Sequence, residues 1–273
     1  MKTDKALLEL VRETSCSLPE DVERALRRAL RAEKKGSPAA TVIGTILDNV
    51  ALARKESTPL CQDTGTLSFF VDERLRRRIP REAVEKAVRE ATRLGYLRQN
   101  CIDASSGRSF ADNVAPGSPV VHYVEPRSAR PGVTLLMKGG GSENMSRQYS
   151  LPDRELGAGR DFEGVAKCVI DAVRRAKGYG CAPGIIGVCV GGDRAGGYAA
   201  AKETFLQPLG RRLRADERRL LDAINRLGIG PMGLGGATTA LSLSLVSRAR
   251  LPASYFVTVA YMCWALRRRT VFP

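Results

Sequence analysis

The chain has 273 residues, 43% hydrophobic and 27% charged, which is typical of a folded globular protein. Its formal charge of +15 would suit a nucleic-acid-binding module, but only 5% of the residues are aromatic, so surfaces for stacking bases are scarce. The short basic blocks at 74–78 and 267–269 therefore predict a solvated basic surface, suited to attracting a small dianion or an acidic partner. No apolar stretch approaches the roughly 20 residues that span a bilayer, and the N-terminus lacks a signal-peptide pattern, so we expect a cytoplasmic protein that binds neither membranes nor nucleic acid.

The first predicted elements are three helices. An amphipathic pattern over "MKTDKALLELVRE" predicts the first, and a capping box at 17–20 opens a second that runs to about Lys35. The third covers "AATVIGTILDNVALARKES" and ends before Pro59. Together they predict a helical N-terminal part of about residues 1–57.

Strands and helices alternate in the rest of the chain. Helical patterns occur in "REAVEKAVREATRLG", "FEGVAKCVIDAVRRAKGYG", "AGGYAAAKETFLQPL" and the basic stretch that ends near Leu227. Strand patterns occur in "LSFFV", "GSPVVHYVEP", "GVTLLMKGG", "GIIGVCVGG", "LSLSLV" and "SYFVTVAYM". No break in composition and no internal repeat interrupts them. The sequence therefore predicts one α/β domain over residues 1–273, with a mixed sheet flanked by helices and a helical N-terminal layer.

The seven cysteines fit neither a secreted disulfide framework nor a zinc ribbon, because their number is odd and no C-x-x-C occurs. Four of them lie in helical or apolar contexts that favour the role of a small buried hydrophobe: Cys16, Cys101, Cys168 and Cys189. The other three, Cys61, Cys181 and Cys263, lie beside turns or at the end of an apolar run. Their spacing is too long for a zinc finger and, taken alone, only weakly favours a soft metal or cluster, so a zinc- or thiol-based structural protein remains an alternative.

Three glycine-rich stretches could bring backbone N–H groups close to an anion or a bulky cofactor: 138–144, 187–197 and 228–236. None of them has the spacing of a P-loop, and none has a dinucleotide-binding fingerprint in register with a strand and a helix. The segment "TPLCQDTG" is the most unusual, because a turn needs only its Asp and Gly, whereas Cys61 and Gln62 require another explanation.

Five motifs supply that explanation through a family resemblance. In chain order, "PLCQDTG", "KGGGSENMS", "GCAPGIIGVCVGG", "RLGIGPMGLGGATTAL" and "VAYMCWALRR" together resemble the α subunit of the iron-sulfur (class I) fumarate hydratase and L(+)-tartrate dehydratase family across nearly the whole chain. The resemblance implies that Cys61, Cys181 and Cys263 hold a [4Fe-4S] cluster whose open iron binds the substrate. It also implies catalytic roles for Gln62 and Asp63, next to a cluster ligand, where they can reach that substrate.

The same resemblance implies the remaining substrate contacts. Arg98 in "YLRQN" would clamp a carboxylate, a task that suits a planar guanidinium. The Gly141 N–H, Asn113 and the segment from Ser142 to Asn144 would line the pocket. From the residues alone, Arg98 could equally be a surface charge at a helix end, and Asp63 a simple turn residue. The implied reaction is the reversible hydration of fumarate to (S)-malate, with dehydration of L(+)-tartrate as the alternative.

A separate β subunit is also expected. The chain ends ten residues after Cys263, whereas single-chain members of the family continue into a second domain that carries the catalytic base. We therefore expect a dicarboxylate-binding α subunit that works with a β subunit, and an α–α dimer within an α2β2 assembly.

Two positions depart from the family pattern. Leu251 stands in "RLP" where the family has histidine, and Met232 stands in "GIGPMG" where glutamine is usual. The only histidine, His122, alternates with apolar residues in a predicted strand, which favours a structural role over that of a base.

Overall fold

A computed structural model describes residues 2–273, so Met1 of the first predicted helix lies outside the described residues. The eight helices of the described part are α1 (Lys2–Cys16), α2 (Glu20–Ala32), α3 (Pro38–Glu56), α4 (Arg81–Arg93), α5 (Gly140–Glu143), α6 (Phe162–Ala176), α7 (Arg194–Glu203) and α8 (Ala215–Asn225). No helix in this part is long and apolar enough to cross a membrane.

The described chain also contains ten strands. They are β1 (Thr66–Asp72), β2 (Cys101–Ile102), β3 (Ser109–Phe110), β4 (Val120–Val124), β5 (Val133–Lys138), β6 (Arg147–Ser150), β7 (Gly184–Val190), β8 (Ala240–Ser247), β9 (Phe256–Met262) and β10 (Arg267–Val271). The α/β class predicted from the sequence is confirmed. The short elements β2, β3, β6 and α5, and the basic strand β10, were not expected from the sequence.

The strands form two four-stranded mixed sheets and a β2–β3 hairpin, where the sequence had suggested one mixed sheet. The chain likewise divides into two compact units. The first unit comprises the residues up to Pro19, Asp48–Gly140 and Ala265–Pro273, and the second comprises Glu20–Leu47 and Gly141–Trp264. Each unit is assembled from separated segments, and the single-domain assignment stays a prediction.

The first unit contains the sheet β10-β5-β1-β4. Strands β1 and β4 run parallel, whereas β5 lies antiparallel to both β1 and β10. Helices α1 and α4 pack together, and α1 also packs on β5 and β10. Alternate residues of β1, Leu67, Phe69 and Val71, are buried in the core with residues of these helices, as expected for a strand with one face on a core.

The second unit contains the sheet β6-β9-β7-β8, in which β7 and β8 are parallel and β9 is antiparallel to its neighbours. The core beside it is formed by apolar residues of α6 and α8 together with β7, β8 and β9. Strand β7 is buried along nearly its full length, which explains why "GIIGVCV" is apolar without alternation. Of the two central strands, β7 begins shortly after Cys181, and β9 ends at the residue before Cys263.

Candidate active site

The turn at residues 61–65 brings two predicted motifs together within the first unit. The backbone N–H of Asp63 points to the Cys61 Sγ at 3.4 Å. Gly65 has a φ of +71°, and a Cβ placed there would overlap the Lys138 carbonyl, so only glycine allows this approach of the two backbones. The Asp63 carboxylate lies against Gly139, where a Cβ would be 2.9 Å from Oδ2. The "PLCQDTG" turn therefore packs directly on the start of the "KGGG" segment.

Arg267 holds this turn from β10. Its Nη2 donates to the carbonyl oxygens of Asp63, at 2.8 Å, and Thr64, at 3.3 Å. The side chain is 1% exposed, so the expectation that 267–269 forms a solvated basic surface is wrong at Arg267, whereas Arg74 and Arg76–Arg78 are exposed as predicted. Its Nε and Nη1 are buried without a hydrogen-bond partner in the described structure.

Arg98 and Asn113 are linked through the backbone of the Arg98 segment. The side chain of Arg98 is exposed, and its carbonyl oxygen accepts hydrogen bonds from Thr64 Oγ1 at 2.7 Å and Asn113 Nδ2 at 2.8 Å. Asn113 is 2% exposed, with a left-handed φ of 60°. Its Oδ1 accepts from the N–H groups of Asn100 and Cys101, and its Nδ2 also donates to a threonine hydroxyl.

All four hydrogen-bonding positions of the Asn113 amide are therefore occupied by protein groups. This arrangement orients the segment that carries Arg98 and leaves the amide no further position for a substrate. A contact between Asn113 and substrate stays a prediction.

A cavity of about 300 Å³ lies beside this turn within the first unit. Asp63, Thr64, Gly65, Asn113 and Gly140 are among the residues that line it. Its wall thus includes the carboxylate that the sequence singled out and Gly140, which belongs to the "GGGSEN" segment predicted to face a substrate.

Cys181 and Cys263 lie on neighbouring segments of the second unit. The N–H of Trp264 donates to the Cys181 carbonyl oxygen at 3.2 Å, which joins the segments that carry the two thiols. Cys181 is exposed and has a left-handed φ of 53°, whereas Cys263 is largely buried. Met232, one of the departures from the family pattern, donates its N–H to the Ala182 carbonyl at 2.9 Å and so lies next to the Cys181 loop.

The ring of Tyr261 packs against Gly180 and Gly184, on either side of the Cys181 segment, and its side chain is 1% exposed. Burial raises the pKa of its phenol, and the thiols of Cys263 and Cys181 act in the same direction, so the hydroxyl keeps its proton. That hydroxyl has no hydrogen-bond partner in the described structure. The sequence analysis missed Tyr261, although it stands only two residues before Cys263 at the end of a strand pattern.

The cysteines outside the predicted ligand set are mostly inert. Cys16, Cys168 and Cys189 are buried, as expected. Burial raises the pKa of Cys16 to about 11 and that of Cys168 to about 12, which disfavours their thiolates. Cys101 differs from the expectation, because it lies half-buried on β2 and lines the cavity of the first unit. A two-residue strand at a hairpin has no covered face in which to bury a thiol.

The remaining predicted residues occupy varied positions. Gln62, Gly141 and Asn144 are exposed, whereas Ser142 is buried. Leu251 is exposed in a turn, and His122 is exposed on β4, where its ring stacks on that of Phe70. Among residues 2–273, no group of three or more His, Cys, Asp or Glu side chains is arranged to hold a metal ion. The three-cysteine ligand set therefore stays a prediction.

Residues 4–272 match the family described as fumarate hydratase (Fumerase). The chain therefore belongs to the fumarate hydratase family, as its five motifs predicted.

Three relatives illustrate the range of this family. A protein from Geobacillus stearothermophilus assigned as a class I fumarate hydratase is 41% identical over 98% of this chain, and this chain spans only 54% of its length. A protein from Methanocaldococcus jannaschii assigned as an L(+)-tartrate dehydratase subunit alpha is 32% identical over 98% of this chain and 96% of its own. The L(+)-tartrate dehydratase subunit alpha of Escherichia coli K12 is 30% identical over 94% of this chain and 86% of its own.

Proposed function

We propose that this chain is the α subunit of an iron-sulfur hydro-lyase that reversibly hydrates fumarate to (S)-malate. The observation that carries the proposal is the turn at residues 61–65, in which the Asp63 N–H contacts the Cys61 thiol and the Asp63 carboxylate lies against Gly139, in a chain whose residues 4–272 match the fumarate hydratase family.

The cofactor of the proposal is a [4Fe-4S] cluster held by Cys61, Cys181 and Cys263. The donor set suits it, because thiolates are the usual ligands of such clusters and none of these cysteines is in a disulfide. The Cys181 and Cys263 segments are joined by a backbone hydrogen bond, and a buried hydroxyl without a partner lies between glycines of the Cys181 loop. When bound, a cluster with one open iron would act as a Lewis acid towards the hydroxyl that leaves or enters.

The side chains of the first unit would bind and orient the diacid. Arg98 would clamp one carboxylate through a bidentate contact, with its backbone held by Thr64 and Asn113. Gln62 and Asp63 would reach the reacting carbons, in a turn that Arg267 fixes through two carbonyl oxygens. Negative charge grows on the substrate carboxylates in a carbanion-like transition state, so the Arg98 guanidinium and the Gln62 amide, which donate hydrogen bonds, would stabilise the transition state more than the ground state.

The loop that begins at Gly140 would complete the pocket of the proposal. Gly141 would supply a backbone N–H, and Ser142 and Asn144 would line the pocket beside it. Gly141 is exposed, and a Cβ there would meet nothing within 4 Å, so a ligand would have room beside it.

A β subunit is the proposed partner. Support comes from the relatives named as alpha subunits, which match this chain over most of their own length. The net charge of +15 would favour association with an acidic partner and with a dianionic substrate, and both effects would weaken as salt rises. Dimerisation of two αβ pairs and a cytoplasmic location complete this proposal.

Dehydration of L(+)-tartrate is the second candidate. It is favoured by the two relatives named as L(+)-tartrate dehydratase alpha subunits, which are 32% and 30% identical to this chain. Both reactions remove or add water across a four-carbon diacid, so the same cluster and the same arginine clamp would serve either.

The test is an assay of the anaerobically reconstituted chain, with and without its β subunit, on fumarate, L(+)-tartrate and mesaconate. We expect fumarate turnover only when both subunits are present. Tartrate turnover without fumarate turnover would favour the second candidate. Full turnover by the chain alone would contradict the need for a β subunit, and a complex with bound cluster that turns over none of the three would contradict the reaction class.

A further inference from the structure

The buried hydroxyl of Tyr261 is a donor for which the described protein supplies no acceptor. Such a group is costly, because the phenol loses its hydrogen bonds to water on folding and regains none. By contrast, Tyr149, on β6 of the same sheet, donates its hydroxyl to the Asp171 carboxylate at 2.9 Å. The lack of a partner at Tyr261 therefore requires an explanation specific to its surroundings.

The surroundings of the ring are shaped to hold it next to Cys181. Glycines stand on both sides of the Cys181–Pro183 segment, and the phenol fits against both. A Cβ at Gly180 would overlap the edge of the ring, and a Cβ at Gly184 would lie 2.7 Å from the hydroxyl oxygen. A side chain at either position would displace the phenol, so both glycines are needed for the ring to occupy this place.

Both proposed cluster ligands of the second unit are close to this hydroxyl. Tyr261 pairs with Ile186 in the β7–β9 ladder, and Cys263 directly follows the last residue of β9. The segments of the two cysteines are joined by the hydrogen bond from the Trp264 N–H to the Cys181 carbonyl oxygen, and the ring of Tyr261 packs on Gly180, next to Cys181. The sulfur atoms of this group are therefore the acceptors that a bound cluster would offer the phenol.

We propose that the Tyr261 hydroxyl donates a hydrogen bond to a sulfur of the cluster bound at Cys181 and Cys263, either a cysteine thiolate or an inorganic sulfide. This inference rests on the proposed function, since it needs the cluster. In this assignment Tyr261 contacts a sulfur atom of the cofactor and does not contact the substrate. Hydrogen bonds to cluster sulfurs stabilise the reduced, more negatively charged state and thereby raise the reduction potential.

The test compares wild type with Tyr261→Phe in the full chain, reconstituted anaerobically with iron and sulfide. Iron and sulfide per chain are measured first, and the midpoint potential of the cluster is then measured by optical titration with a reductant. We expect Tyr261→Phe to take up the cluster and to show a lower midpoint potential than wild type. In the apoprotein, we expect the same variant to unfold at a temperature equal to or above that of wild type, because it removes a donor without a partner.

Tyr149→Phe is the matched control, since it removes the same atom from a tyrosine whose hydrogen bond is made within the protein. It should lower the unfolding temperature of the apoprotein and leave the cluster potential unchanged. The inference would be overturned, and the proposed function left standing, if cluster-loaded Tyr261→Phe had the same midpoint potential as wild type. The same holds if Tyr261→Phe lowered the unfolding temperature of the apoprotein as much as Tyr149→Phe does. A wild-type chain that binds no iron or sulfide, with or without the β subunit, would overturn the proposed function and this inference together.

Discussion

Glu217 of α8 provides a quantitative test of how the second unit is held together. Its carboxylate is fully buried and accepts hydrogen bonds from the Arg211 guanidinium and from the N–H groups of Leu245 and Arg214. Burial alone would raise the pKa of Glu217, but the Arg211 contact and the two N–H groups outweigh burial and lower it to about 2 from 4.5. At about 1.4 kcal/mol per pKa unit, the charged form contributes about 3 kcal/mol to the free energy of unfolding.

Glu217→Gln keeps the volume of the side chain and removes the charge. We expect urea denaturation at pH 7 to show a loss of about 3 kcal/mol in the free energy of unfolding, by the same conversion. The control is Glu163→Gln, which breaks an exposed ion pair with Arg219 and should cost less than about 1 kcal/mol. Because the folded-state pKa lies below the unfolded value, the Glu217 contribution is complete above pH 4.5 and declines as the pH falls towards 2. Equal losses in the two variants, or a wild-type advantage that does not shrink between pH 4.5 and 2, would refute this reasoning.

Three further predictions concern the candidate active site. Arg98→Lys should lower kcat/KM at least about tenfold, through a higher KM and a lower kcat, because a point charge replaces a bidentate contact worth about 1.5–3 kcal/mol; unchanged steady-state kinetics would remove Arg98 from the site. Gly65→Ala should lower the free energy of unfolding by about 3 kcal/mol, from a left-handed φ and an overlap with a neighbouring carbonyl. Gly36→Ala, with a similar φ and open space around it, should cost only about 1 kcal/mol, and equal losses on denaturation would argue against the overlap. Cys181→Ser should lose bound iron on anaerobic reconstitution while Cys168→Ser retains it, and equal iron content would contradict the ligand assignment.

Much of the fold could be predicted from local patterns. Strands β1, β5, β7 and β9 have apolar runs of strand length, and α4 and α6 have helical periodicity between turn residues, so each element carried its own signal. The division of the strands into two sheets carried no such signal, because strand partners are chosen by contacts between distant segments.

Strand β10 shows why Arg267, which supports the turn of the candidate active site, was missed. Three consecutive arginines indicate a solvated surface, since arginine is rarely buried without an ionic partner. Arg267 is nevertheless buried, because its strand pairs with β5 at Met137 and its guanidinium supports the turn of Asp63 and Thr64. The candidate ligands were found from motifs, whereas Arg267 and Tyr261 became visible only through burial and unpaired donors.

The late position of β10 in the chain also affects how the protein is made. During synthesis on the ribosome, β5 emerges long before its partner β10, so one edge of the first sheet is open while the second unit is still being translated. The turn that carries Cys61 lacks its Arg267 support throughout this interval. We therefore expect cofactor insertion to follow the synthesis of β10, and a nascent chain stalled before Ala265 to expose a strand edge that chaperones recognise.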